Sequence, residues 1–317
     1  MRQTILSTVG ALFLSSGLFA ADSQLMNLVM PDAQVMAGLN VTTAKTSLFG
    51  QFLLTKLASQ GGTQFEALSS ATGFDPRRDL VEVLAATRGG AGQKTGLVLA
   101  KGSFNVSQLT DAFSKEGHGA QVSSYGGATL ISGKDGKSEG AVAFLGTSIA
   151  IAGDLESVRG AIDRSGQNNS VSAELAAKVQ TLSGAQDAWA VSLEPVSGLL
   201  PKADSGASGP AAQANQILKT ILAANGGVKF GSLIVVTAQA VASDAKNAGA
   251  LADVVRLLAG MAAMAGQQNA QLGQVLQSLQ VATDGSAVNV SLSLPETVVE
   301  QMLNGAGGAQ ANVRRGN

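Results

Sequence analysis

Apolar and polar positions recur along this chain with two periods, which divide it into short strands and amphipathic helices. Alternation with a period of two, or a short apolar run closed by glycine, predicts a strand, whereas apolar residues three and four positions apart predict a helix. In the first half, the predicted strands are 33–41, 80–87, 96–101, 121–125, 128–132, 141–145 and 148–152, and the predicted helices are 45–59, 64–71, 105–116 and 154–163.

The second half has fewer strands and one long helix. Its predicted strands are 188–194, 228–240, 281–283 and 287–294, and its predicted helices are 173–182, 214–224, 243–265, a segment ending near Leu279, and 295–303. Ser243 is the predicted N-cap of the long helix, because a serine hydroxyl can accept a free amide at a helix start. The apolar face of that helix is predicted to pack on a sheet, and it comprises Leu251, Val254, Val255, Leu258, Met261, Ala262 and Ala265.

The junctions between predicted strands indicate the fold class. Glycine-containing steps such as Gly126-Gly127 and Gly146-Thr147 separate consecutive strands, which is typical of antiparallel hairpins. The sequence therefore predicts an α+β protein with antiparallel sheets covered by helices on one face. Both halves follow the order strand, helix, strand, helix, hairpin, helix. This order is consistent with two similar halves at 21–166 and 167–303, and a chance match of order is the alternative.

The first 20 residues have the layout of a secretory signal peptide. Arg2 precedes a charge-free apolar run over residues 5–19, and the small residues Ala20 and Ala21 follow. The run is shorter than the roughly 20 residues that a membrane-spanning helix needs. We expect cleavage after Ala20 and export to the periplasm or the extracellular space, and an uncleaved anchor is the alternative. No later segment predicts a transmembrane helix, and the tail 304–317 predicts disorder.

Composition excludes several classes of function. The chain has no cysteine, which excludes disulfides, thiolate metal sites, a cysteine nucleophile and cysteine-linked lipid. One histidine excludes multi-histidine metal sites. Charged residues make up only 14% of the chain and the net charge is −1, which argues against nucleic-acid binding. We therefore expect no cofactor and no nucleic-acid partner.

Two motifs resemble functional signatures but lack the context that their chemistry requires. In Gly89–Thr95, Gln93 separates glycine from lysine, and a strand follows where a phosphate-binding loop needs a helix. Gly136–Gly140 matches the serine-hydrolase elbow but lies between two predicted strands. The single histidine, His118, precedes this serine, whereas in those hydrolases the histidine comes last. These departures favour turns and a solvated loop histidine.

Four residues are the weak binding candidates of this sequence. Arg77 and Arg78 belong to its densest charge cluster and could bind an anionic partner. The alternative is local, with Asp75 as a helix cap and the two neighbouring aspartates screening the arginines. Tyr125 and Trp189 are the only tyrosine and tryptophan and could mark a groove, although a core position is the alternative for Trp189.

Five segments together carry a resemblance to known sequences. They are 72–80 (TGFDPRRDL), 96–104 (GLVLAKGSF), Tyr125-Gly126-Gly127, Gly153-Asp154, and 281–294 (VATDGSAVNVSLSL) with Pro295. The pattern resembles exported bacterial proteins of the domain-of-unknown-function type, and it covers most of the mature chain. The resemblance implies an exported α+β protein and supplies neither an activity nor site residues.

Three functional hypotheses follow. The first is an exported envelope protein with a non-enzymatic binding or scaffolding role, favoured because each catalytic motif lacks its context. Its partner would be an envelope protein. The second is a carrier or chaperone for lipid or other apolar cargo, suggested by the apolar face of the long helix. The third is a hydrolase of envelope polymers that uses carboxylates alone, although no pair of acidic residues stands out in the sequence.

Overall fold

One antiparallel sheet of 12 strands organises the chain in this computed structural model. The structure describes residues 20–60, 69–89, 96–116, 120–135, 138–168, 171–195, 217–265, 275–296 and 298. The strands are β1 (Val35–Asn40), β2 (Leu80–Thr87), β3 (Gly96–Gly102), β4 (Gln121–Tyr125), β5 (Ala128–Asp135), β6 (Ser138–Leu145), β7 (Ile149–Asp154), β8 (Ala188–Ser192), β9 (Ile221–Lys229), β10 (Leu233–Ala242), β11 (Gln280–Asp284) and β12 (Ala287–Pro295). The mixed helix and strand content agrees with the predicted α+β class, but a single sheet takes the place of several.

Eight helices accompany the sheet among the described residues. They are α1 (Ser23–Leu28), α2 (Val41–Ala44), α3 (Leu48–Gln60), α4 (Pro76–Asp79), α5 (Val106–Glu116), α6 (Leu155–Arg164), α7 (Ala173–Ala185) and α8 (Ala245–Ala265). Aspartates cap several of them: the carboxylates of Asp75, a predicted cap, and Asp154 accept the Arg77 and Ser157 amides, each at 2.9 Å.

The strand order is β11-β12-β10-β9-β8-β1-β2-β3-β7-β6-β5-β4. β1 and β8 pair antiparallel near the middle and join the strands of the first half to those of the second. In this pair Gly38 lies opposite Trp189. A β-carbon at Gly38 would overlap the indole ring, so glycine at this position lets the tryptophan lie flat against β1.

The main core lies on one face of the sheet, which we call the first face. Strand side chains there, such as Met36, Leu84 and Leu99, are fully buried. They pack with residues of α1, α6 and α7, including Leu25, Val158 and Leu175. Trp189 is 6% exposed and belongs to the same cluster.

Helices also pack on the second face. Because successive strand residues point to opposite faces, Leu39 and Val83 lie on the side away from Met36 and Leu84. They contact α2 and α3. α5 packs over β5 and β6, and α8 packs over β11 and β12. The expectation that helices cover one face alone is therefore wrong at β1 and β2, where helices contact both faces.

Beyond β8, the first face no longer carries residues of the main core. Between small and apolar residues on β9, β10 and β12, this face carries a row of amides, Asn225, Gln239 and Asn289. The Asn225 amide donates to Gln239 at 3.1 Å, and the Gln239 amide donates to Asn289 at 2.9 Å. No helix of the described chain packs over this amide row.

Three sequence predictions in the second half are wrong. Residues 214–224 were expected to be helical, but their described part holds a short helical turn at 217–218 and the start of β9. The predicted strand 228–240 is interrupted at 230–232, where β9 turns into β10. Ser243 does not cap α8: Asp244 does, because its carboxylate accepts the Asn247 amide at 2.8 Å.

The predicted apolar face of α8 is only partly buried. Leu251 is 5% exposed, but Leu258 and Met261, expected to pack on the sheet, are 52% and 51% exposed. The first turns of the helix lie over β11 and β12, whereas its later turns extend beyond these contacts. The later turns of α8 therefore expose apolar side chains to solvent.

Several predictions lie outside the described residues. They are the signal segment 1–19, Gly90–Thr95 of the glycine-rich turn, His118, Gly136-Lys137 of the elbow-like motif, most of the predicted helix 64–71, and the tail 304–317. In the part of the chain that is described, no helix combines the length and apolar character needed to cross a membrane.

Candidate functional site

A large open cavity forms a groove along α6. It has a volume of about 570 Å³ and opens to solvent. We call it the charged groove, after the side chains that line it: Arg88, Glu139, Asp154, Glu156, Arg159, Asp163 and Arg164. A large concave site with converging polar groups is the usual location of a binding site in a protein of unknown function.

The start of α6 supplies one end of the charged groove. Asp154 ends β7 and caps α6, and its Oδ1 accepts the Ser157 amide at 2.9 Å. Its Oδ2 is buried and has no hydrogen-bond partner among the described residues. An unpaired buried carboxylate oxygen is costly, so a donor from a ligand or a water would be favoured there.

Three arginines, Arg88, Arg159 and Arg164, supply the opposite charge. Arg164 donates from Nε and Nη2 to the Leu28 carbonyl, at 3.3 and 2.9 Å, which ties α6 to the end of α1. Burial lowers the pKa of Arg164, and the nearby positive charge of Arg88 lowers it further. Arg88 itself is paired with Asp32 at 2.8 Å. The guanidinium of Arg164 has no ion pair among the described residues. An anionic ligand would therefore stabilise its charged form.

Tyr125 lies beside this groove, as a candidate from the sequence. Its hydroxyl donates to Asp163 Oδ2 at 3.1 Å, and this hydrogen bond raises the pKa of the phenol. The Arg159 guanidinium lies 5.3 Å from the centre of its ring, within the range of a cation–π contact. Tyr125 thus supports two charged side chains that line the groove.

The charged groove presents both signs of charge side by side. Among the described residues, neither Glu139 nor Glu156 forms an ion pair, and Arg159 contacts a ring instead of a carboxylate. Two of the four carboxylates have structural partners, since Asp154 caps a helix and Asp163 accepts the Tyr125 hydroxyl. Such a surface can hold a ligand that carries both an acidic and a basic group.

A second cavity of about 330 Å³ lies over the amide row. Its lining includes Thr237, Ser291 and Gln280, and no charged residue. An antiparallel sheet commonly presents one polar face to water, so solvation alone explains this surface.

A third cavity of about 190 Å³ lies where the described chain begins. We call it the N-terminal cavity, and its main lining side chains are Asp22, Glu82, Lys101, Ser183, Gln186 and Trp189. Burial raises the pKa of Glu82, although the Asp22 amide donates to both of its carboxylate oxygens, at 3.2 and 3.3 Å. The Oε1 atom of Gln186 is buried without a hydrogen-bond partner among the described residues.

The two arginine candidates are held in local ion pairs. Arg77 pairs with Asp75 at 2.9 Å, and Arg78 pairs with Asp79 at 2.7 Å. These hydrogen bonds lower the pKa of both aspartates. Neither arginine lines any of the three cavities. This arrangement is the local screening that the sequence offered as the alternative to binding.

The residues of the charged groove carried no binding prediction. In the sequence, Asp154 begins the predicted helix 154–163 and Arg88 directly precedes the glycine-rich turn, and neither position indicates a ligand. The density of charge in α6, which carries Glu156, Arg159, Asp163 and Arg164 within ten residues, was the available signal. Distant strands were needed to bring Arg88 and Glu139 to the same helix.

No group of three or more acidic or histidine side chains in the described ranges is arranged to hold a metal ion.

Comparison with known proteins gives similarity of fold alone. No protein-family model and no curated protein matches this sequence. The chain is similar to solved structures of TP0453. Crystal form III has a TM-score of 0.56 at 10% identity, with 89% of this chain and 98% of that chain covered. Form I has a TM-score of 0.52 at 10% identity, with 90% and 98% covered. The chain therefore shares an overall fold with TP0453.

Proposed function

We propose that this protein is an exported, non-enzymatic binding protein of the bacterial envelope. Its ligand is a segment of a partner protein that carries acidic and basic side chains, and it binds in the charged groove. The observation that carries the proposal is the coexistence of an unpaired buried carboxylate oxygen at Asp154 and a part-buried guanidinium at Arg164 in one open cavity.

The mixed charge of the groove supports a peptide over a simple ion. A single anion would meet the carboxylates of Glu139 and Glu156 as well as the guanidiniums. A peptide segment can place a carboxylate on Arg159 or Arg164 and an ammonium on Glu139 or Glu156. The open shape of the groove also suits an extended chain better than an enclosed small molecule.

Site-specific photo-crosslinking in the host tests this proposal. A photo-reactive amino acid replaces the exposed Glu156, and the same amino acid at the exposed Ser107, on the far face, serves as the control. We expect a discrete protein adduct from position 156 alone. Arg159→Glu, introduced beside the crosslinker, should reduce that adduct at least about fivefold, because the loss of one charged contact costs about 1 kcal/mol.

Two results would contradict the proposal. One is the same adducts from positions 156 and 107, which would mean unspecific capture. The other is an adduct from position 156 that Arg159→Glu leaves unchanged, because the charge of the groove would then play no part in binding.

A carrier of apolar cargo is the second candidate, and α8 favours it. Four of its side chains are more than half exposed: Leu257, Leu258, Met261 and Met264. Methionine and leucine side chains on one helix suit apolar ligands of irregular shape. Native mass spectrometry of protein from its host would then show bound apolar molecules, which Leu258→Gln with Met261→Gln should remove; cargo-free protein would count against this candidate.

We also propose that the two halves of the chain are related in topology. In support, β3 is followed by α5 and by the strands β4 to β7, the last of which returns to pair with β3. In the same way, β10 is followed by α8 and by the strands β11 and β12, the last of which returns to pair with β10. Superposition of the two strand sets in an experimental structure should bring α5 onto α8, and a mismatch in their direction would contradict the repeat.

A further inference from the structure

The N-terminal cavity contains polar groups that the charged groove does not explain. The chain enters this cavity at Ala20 and Ala21. The Ala21 amide donates to the Oγ of Ser183 at 2.9 Å, and Ser183 is only 5% exposed. One residue later, the Asp22 amide donates to the Glu82 carboxylate. The backbone at residues 21 and 22 is thus held by α7 on one side and by β2 on the other.

The charges around this backbone do not balance at Glu82. The carboxylate of Asp22 caps α1 and is paired with Lys101. Glu82 is part-buried and forms no ion pair of its own among the described residues, and burial raises its pKa. Asp22, Glu82 and Lys101 are the charged side chains that line the cavity, so two carboxylates share one cation. The lining from α7, Ser183 and Gln186, is uncharged.

We infer that the N-terminal cavity is the binding site for the mature N-terminus, and that cleavage between Ala20 and Ala21 supplies its missing cation. Hydrolysis breaks the carbon–nitrogen bond of this peptide, with water as co-reactant and an export signal peptidase as catalyst. The carbonyl carbon of Ala20 takes the hydroxyl and becomes a carboxylate. The nitrogen of Ala21 takes the two released protons and becomes an α-ammonium group.

The new ammonium group fits the acceptors that are present. Its nitrogen is the atom that already donates to Ser183, and an ammonium has three N–H donors where the amide had one. Glu82 accepts from the next amide in the chain, so its carboxylate lies within one residue of the new charge. Gln186 adds a buried oxygen that has no other described partner in the same cavity. The inference depends on the export proposed above but not on the charged groove.

The pH dependence of this contact has a definite sign. An α-amino group has a pKa of about 8 in an unfolded chain, and a neighbouring carboxylate raises that pKa in the folded chain. The stabilisation is therefore fully present below about pH 8 and is lost as the pH rises through the higher, folded pKa.

The first experiment is mass spectrometry of the exported protein from its host. We expect a chain that begins at Ala21. A chain that begins at any other residue, or that keeps residues 1–20, would overturn the inference whatever the groove binds.

The second experiment compares two full-length mature chains, released from a cleavable fusion. One begins at Ala21, and the other carries Gly-Ser before Ala21, which replaces the ammonium at this position by an amide. We expect the unfolding constant of the first chain to be about tenfold smaller at pH 6.5, which corresponds to a shift of one pKa unit. The difference should disappear by about pH 10.

Glu82→Gln separates an ionic contact from simple crowding by the extension. It should abolish the difference between the two chains at pH 6.5, because the ammonium loses its counter-charge. Glu174→Gln, which removes the same charge from an exposed position at the start of α7, should preserve it. A difference that survives Glu82→Gln, or two chains of equal stability, would contradict the inference.

Discussion

Two regions of the sheet are enclosed in different ways. Strands β1 and β2, in the middle of the strand order, contact helices on both faces: Leu84 is fully buried on one face, and Val83 packs against α2 and α3 on the other. Strands β9, β10 and β12, toward one edge of the sheet, have α8 on one face and the amide row on the other. The central region has three layers, and the second region has two layers with the amide row toward water.

This difference separates ordinary polar surface from a candidate site. The amide row lines an open cavity, and its central amide, Gln239, is hydrogen-bonded to both of its neighbours. The charged groove lies at the edge of the covered region instead, where Asp154 and Arg164 are partly shielded from water. Polar groups that are buried without partners are therefore the better indication of a ligand than polar groups on an open sheet.

The largest effect is expected in the main core, at Leu99 on β3. Leu99→Ala should lower the free energy of unfolding by about 3 kcal/mol, because the fully buried side chain leaves a cavity between the sheet and its helices. Leu258→Ala, on the exposed part of α8, is the matched control and should change stability by less than about 0.5 kcal/mol. Urea unfolding measures both. Equal losses would mean that the later turns of α8 are packed in solution.

The next effect tests the β1–β8 pair, which joins the central strands to those of the second half. Gly38→Ala should cost about 1 to 3 kcal/mol, because the new methyl group overlaps the Trp189 ring across the β1–β8 pair. Gly249→Ala in α8 meets no atom within 4 Å and should be neutral or stabilising, since alanine favours a helix. Tryptophan fluorescence would report the first substitution. A Gly38→Ala protein with unchanged stability and emission would contradict this packing.

A smaller effect is expected in the amide row of β9, β10 and β12. Gln239→Leu removes the central member of the amide row and should cost about 1 kcal/mol or less, because water can replace its hydrogen bonds to Asn225 and Asn289. Gln280→Leu, exposed on the same face, is the control and should cost less still. A loss as large as that of Leu99→Ala would show that this face is covered in solution.

The smallest effect concerns the ion pairs of α4, outside both cores. Hydrogen bonds from Arg77 and Arg78 lower the pKa of Asp75 and Asp79 in the folded chain. Their contribution is therefore present above about pH 4 and is lost as the pH falls through the lowered values. Asp75→Asn keeps the helix cap but removes the charge, so it should reduce stability slightly at pH 7 and not at pH 2. An equal reduction at both pH values would mean that the cap alone matters.

Local signals predicted much of the first half and the last hairpin. β2 and β4 have the predicted bounds, and β11 and β12 form at the predicted strands 281–283 and 287–294, with Asp284-Gly285 between them. In each case, a few neighbouring residues determine the conformation: glycine allows the turn, and alternation selects the strand.

Local signals failed around β9. Ile217, Leu218, Ile221 and Leu222 have helical spacing, and Asn225-Gly226-Gly227 has the composition of a turn. In the structure these glycines lie inside a strand. A β-carbon at Gly227 would lie 2.6 Å from Cγ of Gln186, so the glycine serves the packing of α7 against the sheet. A contact with Gln186, which is distant in sequence, therefore explains why this glycine-rich segment forms part of a strand.

By itself, the sequence determined most strands and turns of the first half, the last hairpin and the absence of cysteine chemistry, because these depend on residue types or on neighbours along the chain. Only the tertiary structure decided the strand order, the β1–β8 junction and the coverage of each face. It also brought Arg88, Glu139 and α6 together in the charged groove, and Ala21 together with Glu82 and Ser183. These residues are far apart in sequence, and only the pairing and packing of complete elements places them within contact distance.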